Sequence, residues 1–258
     1  MNTRKLLGSV LLLTVSMITV SCIHTGSVVE SFSDERITET RPLTGFEKIE
    51  INGSPTVYYT QADTFSVVVE GSAKGVENIL TEVTGGTLSI RNRGKMGVVN
   101  IVFNENDEAT VHVSSPDMIG VTLNGSGDFI SNGRIDSDNM AVTLKGSGDI
   151  DIKDLICDRC QVELIGSGDI DLKRVETKDM TTTLVGSGDI DLHLWNTLET
   201  RLYLKGSGDI DADFSQGCQS VQCELRGSGD ISLSGKVMHL SQQTSGSGDV
   251  NIGKLTVQ

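Results

Sequence analysis

Carboxylates set in a repeating frame are the first feature of this chain that could do chemistry. The tetrapeptide Gly-Ser-Gly-Asp occurs seven times, with its glycines at Gly125 and Gly127, Gly146 and Gly148, Gly166 and Gly168, Gly186 and Gly188, Gly206 and Gly208, Gly227 and Gly229, and Gly246 and Gly248. Its aspartates are Asp128, Asp149, Asp169, Asp189, Asp209, Asp230 and Asp249. Four consecutive units add another two residues on: Asp151, Asp171, Asp191 and Asp211. Residues two apart on a strand share a face, so both sets project to one side. Ca2+ is one occupant such rows could take, because a hard cation favours clustered carboxylate and carbonyl oxygens. Its candidate ligands are Asp149, Asp151, Asp169, Asp171, Asp189, Asp191, Asp209 and Asp211. The alternative needs no metal: each Asp accepts hydrogen bonds from the N–H groups of its own corner, as in an Asx turn, and salt screens the remaining repulsion. Paired carboxylates also serve glycoside hydrolysis. General acid and general base, however, need environments that push their pKa values apart, and identical repeats offer none. No catalytic residue is assigned and no enzyme is expected.

The thiols say less. Cys157-Asp158-Arg159-Cys160 is a CxxC, and Cys218 and Cys223 form a second, wider pair. A zinc site needs a second close pair or histidines, and a thioredoxin-like motif needs a βαβ context. Buried core cysteine is the first reading, with a local disulfide within each pair as the alternative in an oxidising compartment. His24, His112, His193 and His239 show no ligand spacing, and Trp195 is expected to fill core.

The elements that position these residues follow from the repeat. First glycines are spaced 21, 20, 20, 20, 21 and 19 residues apart. Apolar residues alternate on both sides of each corner, as in Val142, Leu144, Ile150 and Ile152, or Val162, Leu164, Ile170 and Leu172. Period-2 spacing means strands with one buried face. Units of about 20 residues without a helical period predict a coil that climbs one strand spacing per turn, with equivalent residues stacked about 4.8 Å apart. The expected fold is an all-β, right-handed parallel β-helix. Its corner glycines supply positive φ and close backbone approach. Residues 43–118 read as a divergent first part of the same domain, with Asn52-Gly53-Ser54-Pro55 as a degenerate corner, and 119–258 as the repeats. Gln242 and Thr244 replace the apolar ladder residues of earlier units, as suits a terminal rung.

The remaining residues give an address. Arg4 and Lys5 precede an apolar run from Leu6 to Val20 that ends at Ser21-Cys22, the pattern of a secretory signal. Thr19-Val20-Ser21-Cys22 looks like a lipobox, which would make Cys22 the lipidated first residue. Residues 1–21 are thus a lipoprotein signal peptide and 22–42 a polar tether, with the lipid as the only membrane contact. With 35 acidic against 21 basic residues and a net charge of −14, the chain lacks the cationic surplus a nucleic-acid partner requires.

Gly45-Phe46-Glu47-Lys48-Ile49-Glu50-Ile51-Asn52-Gly53-Ser54, followed by Leu-x-Gly-Ser-Gly-Asp-Ile repeats, resembles the putative auto-transporter adhesin, head GIN domain family. The resemblance covers about residues 43–258. A rigid ladder surface suits an extended protein or glycan ligand at the cell envelope, outer-membrane or periplasm-facing; a structural or sensory envelope protein without an adhesive role is the alternative. The resemblance implies a secreted or lipid-anchored β-helical protein of Gram-negative bacteria with an adhesive role. It brings no catalytic residues and no cofactor.

Overall fold

The computed structural model describes residues 36–94 and 109–258. They form a parallel β-helix of about 7 turns with coils of roughly 20 residues. The repeats run as β8 (Gly120–Gly125), β9 (Asp128–Gly146), β10 (Asp149–Gly166), β11 (Asp169–Gly186), β12 (Ile190–Trp195), β13 (Thr197–Gly206), β14 (Ile210–Gly227), β15 (Ile231–Gly246) and β16 (Val250–Val257). Each pairs in parallel with the unit before and after it. The register is that of the sequence repeat: Asp128, Asp149 and Asp169 are partners, as are Leu144, Leu164 and Leu184.

One rung shows how a strand closes into a coil. In β10 the buried residues are Ile150, Ile152, Leu155, Cys157, Cys160, Val162 and Leu164. Alternation slips at Lys153-Asp154 and again at Asp158-Arg159, where two consecutive residues face outward. Two outward neighbours cannot lie on one flat strand, so the chain bends there, and Gly-Ser-Gly makes the third corner. The region between corners that the sequence presented as a variable return is therefore strand as well. Inward residues stack into columns, so each rung buries its apolar face on the next. The column Val142, Val162, Thr182, Leu202, Cys223 carries one polar intruder: the Thr182 hydroxyl is buried without a hydrogen-bond partner.

Trp195 departs from the core role expected of it. Leu194, not Trp195, pairs with Val175 and is buried. Trp195 is half-buried beneath the Arg174 guanidinium, 4.9 Å from the ring centroid. Asn196 beside it takes a φ of 55°, the only positive value at a non-glycine among the described residues.

The divergent first part begins the stack and then closes it. β2 (Lys48–Gly53) and β3 (Thr56–Gln61) pair in parallel with β8 and β9, and Gly53 aligns with Gly125. The degenerate corner is thus the first of the glycine column. β6 (Thr87–Asn92) and β7 (Ala109–Ser115) lie above them, again parallel. There the direction reverses. β5 (Ile79–Thr84) runs antiparallel to β6, β4 (Ser66–Ser72) antiparallel to β7, and β1 (Arg36–Thr40) antiparallel to β4. A short helix, α1 (Ala73–Asn78), capped by the Ser72 hydroxyl, links β4 to β5. β1 falls within the segment read as a tether, so ordered structure starts before Leu43. The signal segment, Cys22 and His24 lie outside the described residues.

Candidate functional site: the acidic face

The face is built at the Gly-Ser-Gly corner. The carbonyl of Gly125 accepts two hydrogen bonds from the next rung, from the Ser147 N–H at 2.9 Å and the Gly148 N–H at 3.2 Å. The same fork recurs at Gly53, Gly146, Gly186, Gly206 and Gly227, while the Gly166 carbonyl accepts from the Ser187 N–H alone. Such an approach leaves no room for a side chain. A Cβ on Gly146 would lie 2.0 Å from the Gly125 oxygen, and one on Gly148 1.9 Å from the Gly127 oxygen. The first glycine also needs φ near +143°, which L-residues rarely adopt. Both glycines are therefore dictated, one by conformation and contact, the other by contact alone.

This corner delivers the aspartates in register. Asp189 donates its N–H to Asp169 Oδ1 at 3.0 Å, Asp209 to Asp189 at 3.0 Å, Asp230 to Asp209 at 2.8 Å and Asp249 to Asp230 at 2.8 Å. The sequence pointed to hydrogen bonds within each Asp's own corner. The donor is instead the equivalent N–H one rung on, because parallel stacking points that N–H at the preceding carboxylate. Each corner carboxylate from Asp149 to Asp230 thereby gains a fixed dipole partner.

The second column, Asp151, Asp171, Asp191 and Asp211, is paired residue to residue and outward-facing. Its first half shares one lysine. Lys173 Nζ sits 2.7 Å from Asp151 Oδ2 and 3.5 Å from Asp171 Oδ2. Its second half has no such lysine. Burial, then the charges of Asp211 and Asp171, raise the Asp191 carboxyl above its ordinary pKa, with His193 pulling weakly the other way. Asp191 and Asp211 border an open groove of about 690 Å3 that also presents His193, Asp213, Asn251 and Lys254. His193 Nδ1 lies 3.8 Å from Asp213 Oδ2. Burial pushes the Asp213 carboxyl up, but hydrogen bonds from Ser215 and Ser234 and the nearby His193 outweigh it and hold it below the ordinary value.

Among the described residues no group of three or more His, Cys, Asp or Glu side chains is placed to hold a metal ion. The expected calcium ligands stand in columns, one per rung, and a column gives pairs where Ca2+ wants six to eight oxygens around a point.

The cysteines separate into two kinds. Cys157, Cys160, Cys218 and Cys223 are all buried and all free thiols. Cys157 and Cys160 flank the Asp158-Arg159 corner, both facing inward and close enough that each shifts the other's pKa. Cys218 and Cys223 belong to different columns: Cys218 aligns with Thr197, Cys223 with Leu202. The Cys223 thiol is pushed up to about 12 by burial.

Several site residues were missed on the sequence although a signal for them existed. His193 and Asp213, Asp154 with Arg134 and Arg174, and Asp158 with Lys178 are each one period apart, and each pair meets across adjacent rungs. In a stacked coil, residues one repeat apart are neighbours.

The family profile for the putative auto-transporter adhesin, head GIN domain matches residues 45–212 and 194–258. The chain belongs to that family. No curated protein matches it. Among solved structures, a protein described as a putative adhesin from Bacteroides fragilis superposes with a TM-score of 0.74 at 24% identity, covering 85% of this chain and 97% of that one. A protein from Parabacteroides distasonis described as a putative lipid binding protein gives 0.68 at 22% identity, covering 85% and 95%. Another putative adhesin from the same species gives 0.61 at 18% identity, covering 84% and 96%. At these identities the solved structures show a shared fold. The family's description as an adhesin fits an extracellular or envelope-associated protein.

Proposed function

We propose that this GIN-domain protein is a non-catalytic binding module of the cell envelope, an adhesin that offers its acidic face to an extended ligand carrying amines or hydroxyls. The observation that carries the reading is the half of the second column that has no lysine partner. Asp191 and Asp211 lie about one strand spacing apart, beside a groove whose other polar groups can donate and accept hydrogen bonds. Catalysis is disfavoured by the same groove. The opposite shifts of Asp191 and Asp213 would suit an acid and a base, but among the described residues no inserted loop walls the site or excludes water. The family description supports adhesion, and the signal-like segment with Cys22 supports a lipid anchor at the envelope, outer-membrane or periplasm-facing.

The full chain would be tested against a panel of glycans, matrix proteins and envelope components, alongside the Asp191→Asn/Asp211→Asn variant. The expected result is a ligand whose binding weakens with salt and drops about tenfold in the variant, a loss of about 1.4 kcal/mol. A panel without a binder, or a ligand held equally by the variant, would overturn the reading.

A further inference from the structure

We propose that Cys157 and Cys160 are a thiol–disulfide exchange site: a small disulfide oxidises the pair to a disulfide across the Asp158-Arg159 corner, while Cys218 and Cys223 stay thiols. Three observations carry this. Column neighbours of Cys157 and Cys160 are Ser137 and Met140 on one side and Thr177 and Met180 on the other, so this rung alone places two thiols around that corner. Those thiols lie close enough that each shifts the other's pKa. Cys157 is the more exposed of the two, at 6% against 2%, and lines an open groove of about 370 Å3, whereas Cys160 borders a separate groove beside Met140 and Arg159.

The order of events follows from that asymmetry. The Cys157 thiolate attacks one sulfur of the incoming disulfide RSSR, forming a mixed disulfide and releasing RS−, which takes up a proton. Cys160 then loses its proton and attacks the Cys157 sulfur, releasing the second thiolate. Two protein thiols and one RSSR become one protein disulfide and two RSH, so two electrons pass to the oxidant. The nearby Cys160 thiol, against burial, lowers the Cys157 pKa, with the Thr177 hydroxyl helping and Asp158 and Asp136 opposing. That assigns the first attack to the same sulfur that is the more exposed. The groove is lined by Asp136, Asp138, Asp158 and Glu176, and its Lys178 is held by Asp158 at 2.7 Å. An acidic approach admits a cationic disulfide more readily than an anionic one. Cys218 has no such partner: its thiol contacts Thr200 Oγ1 at 3.6 Å and the Ser220 carbonyl at 3.4 Å.

The test treats the folded full chain with cystamine or with oxidised glutathione, alkylates the remaining thiols after unfolding, and maps tryptic peptides. Cleavage after Arg159 places Cys157 and Cys160 on different peptides, which stay joined only when the disulfide has formed. The expected result is a joined pair that dithiothreitol separates and that forms several times faster with cystamine, the gap narrowing as salt rises. The Cys160→Ser variant should instead accumulate the mixed disulfide on Cys157, and Cys157→Ser should leave Cys160 alkylated. Absence of the joined pair overturns the proposal, as does oxidation of Cys218 and Cys223 at the same rate. Equal rates for the two oxidants would refute the acidic approach. If either variant fails to fold, the joined pair in the natural chain and its oxidant preference still decide.

Discussion

At the scale of single residues, two aspartates on the same solenoid respond to pH with opposite sign. Asp191 binds its proton more tightly folded than unfolded, so its contribution to stability falls as pH rises from the ordinary carboxyl pKa of about 3.9 through the raised folded value. At neutral pH the cost is fully present. Asp191→Asn should therefore raise stability at neutral pH, by less than about 1 kcal/mol because the group is solvated, and the gain should vanish below the ordinary pKa. Asp154 is the reverse. Burial is outweighed by the hydrogen bonds from Arg134 at 2.9 Å and Arg174 at 2.6 Å, which hold its carboxyl below the ordinary value. Its contribution is present above the unfolded pKa and is lost as pH falls through the folded one. Urea unfolding of both Asn variants across that range checks the pair of signs, and a loss of stability at neutral pH in Asp191→Asn would contradict the account of its column.

At the scale of the rung, the corner decides whether one coil can sit on another. Gly166→Ala places a methyl 2.0 Å from the Gly146 oxygen at a φ of +144° and should cost more than about 3 kcal/mol. Gly133→Ala, with open space around its Cβ and no positive φ, should stay within about 0.5 kcal/mol of the parent. Equal melting temperatures for the two would show that the corner is looser than its contacts imply. These corners were legible in the sequence because a fixed period of apolar alternation and glycine admits few folds, and stacking then places Asp151 against Asp171 without further information. What stayed hidden was whatever breaks the period. Strands β1, β4 and β5 run antiparallel and carry no repeat residue, so neither their direction nor the ordering of Arg36–Thr40 could be read. Trp195 misled for a related reason: the register between β11 and β12 slips by one residue after Leu172, so Leu194 takes the inward place. The hydrogen bond from one Asp N–H to the preceding Asp side chain depends on backbone direction at the corner, which periodicity does not encode.

At the scale of the molecule, 11 of the 35 acidic residues stand in two columns whose members are about 4.8 Å apart. That spacing is well inside the Debye length of about 8 Å at physiological salt and exceeds the value of about 3 Å at 1 M. Thermal stability should thus climb with NaCl and level off near molar concentrations. At matched ionic strength CaCl2 should give no extra rise, since the described carboxylates form no cage; an additional saturable rise in a thermal melt would restore a calcium site. Neither end of the stack is like its middle: antiparallel strands close one, and β16, mostly exposed, lies at the other. Between them, each Gly carbonyl hands the next corner the acceptor that its own corner received. At its Gly-Ser-Gly corner no storey carries a mark of its floor number. An in-frame duplication of one unit's codons would insert another storey without a new joint, leaving the reach of the protein to be lengthened or shortened by copying errors alone.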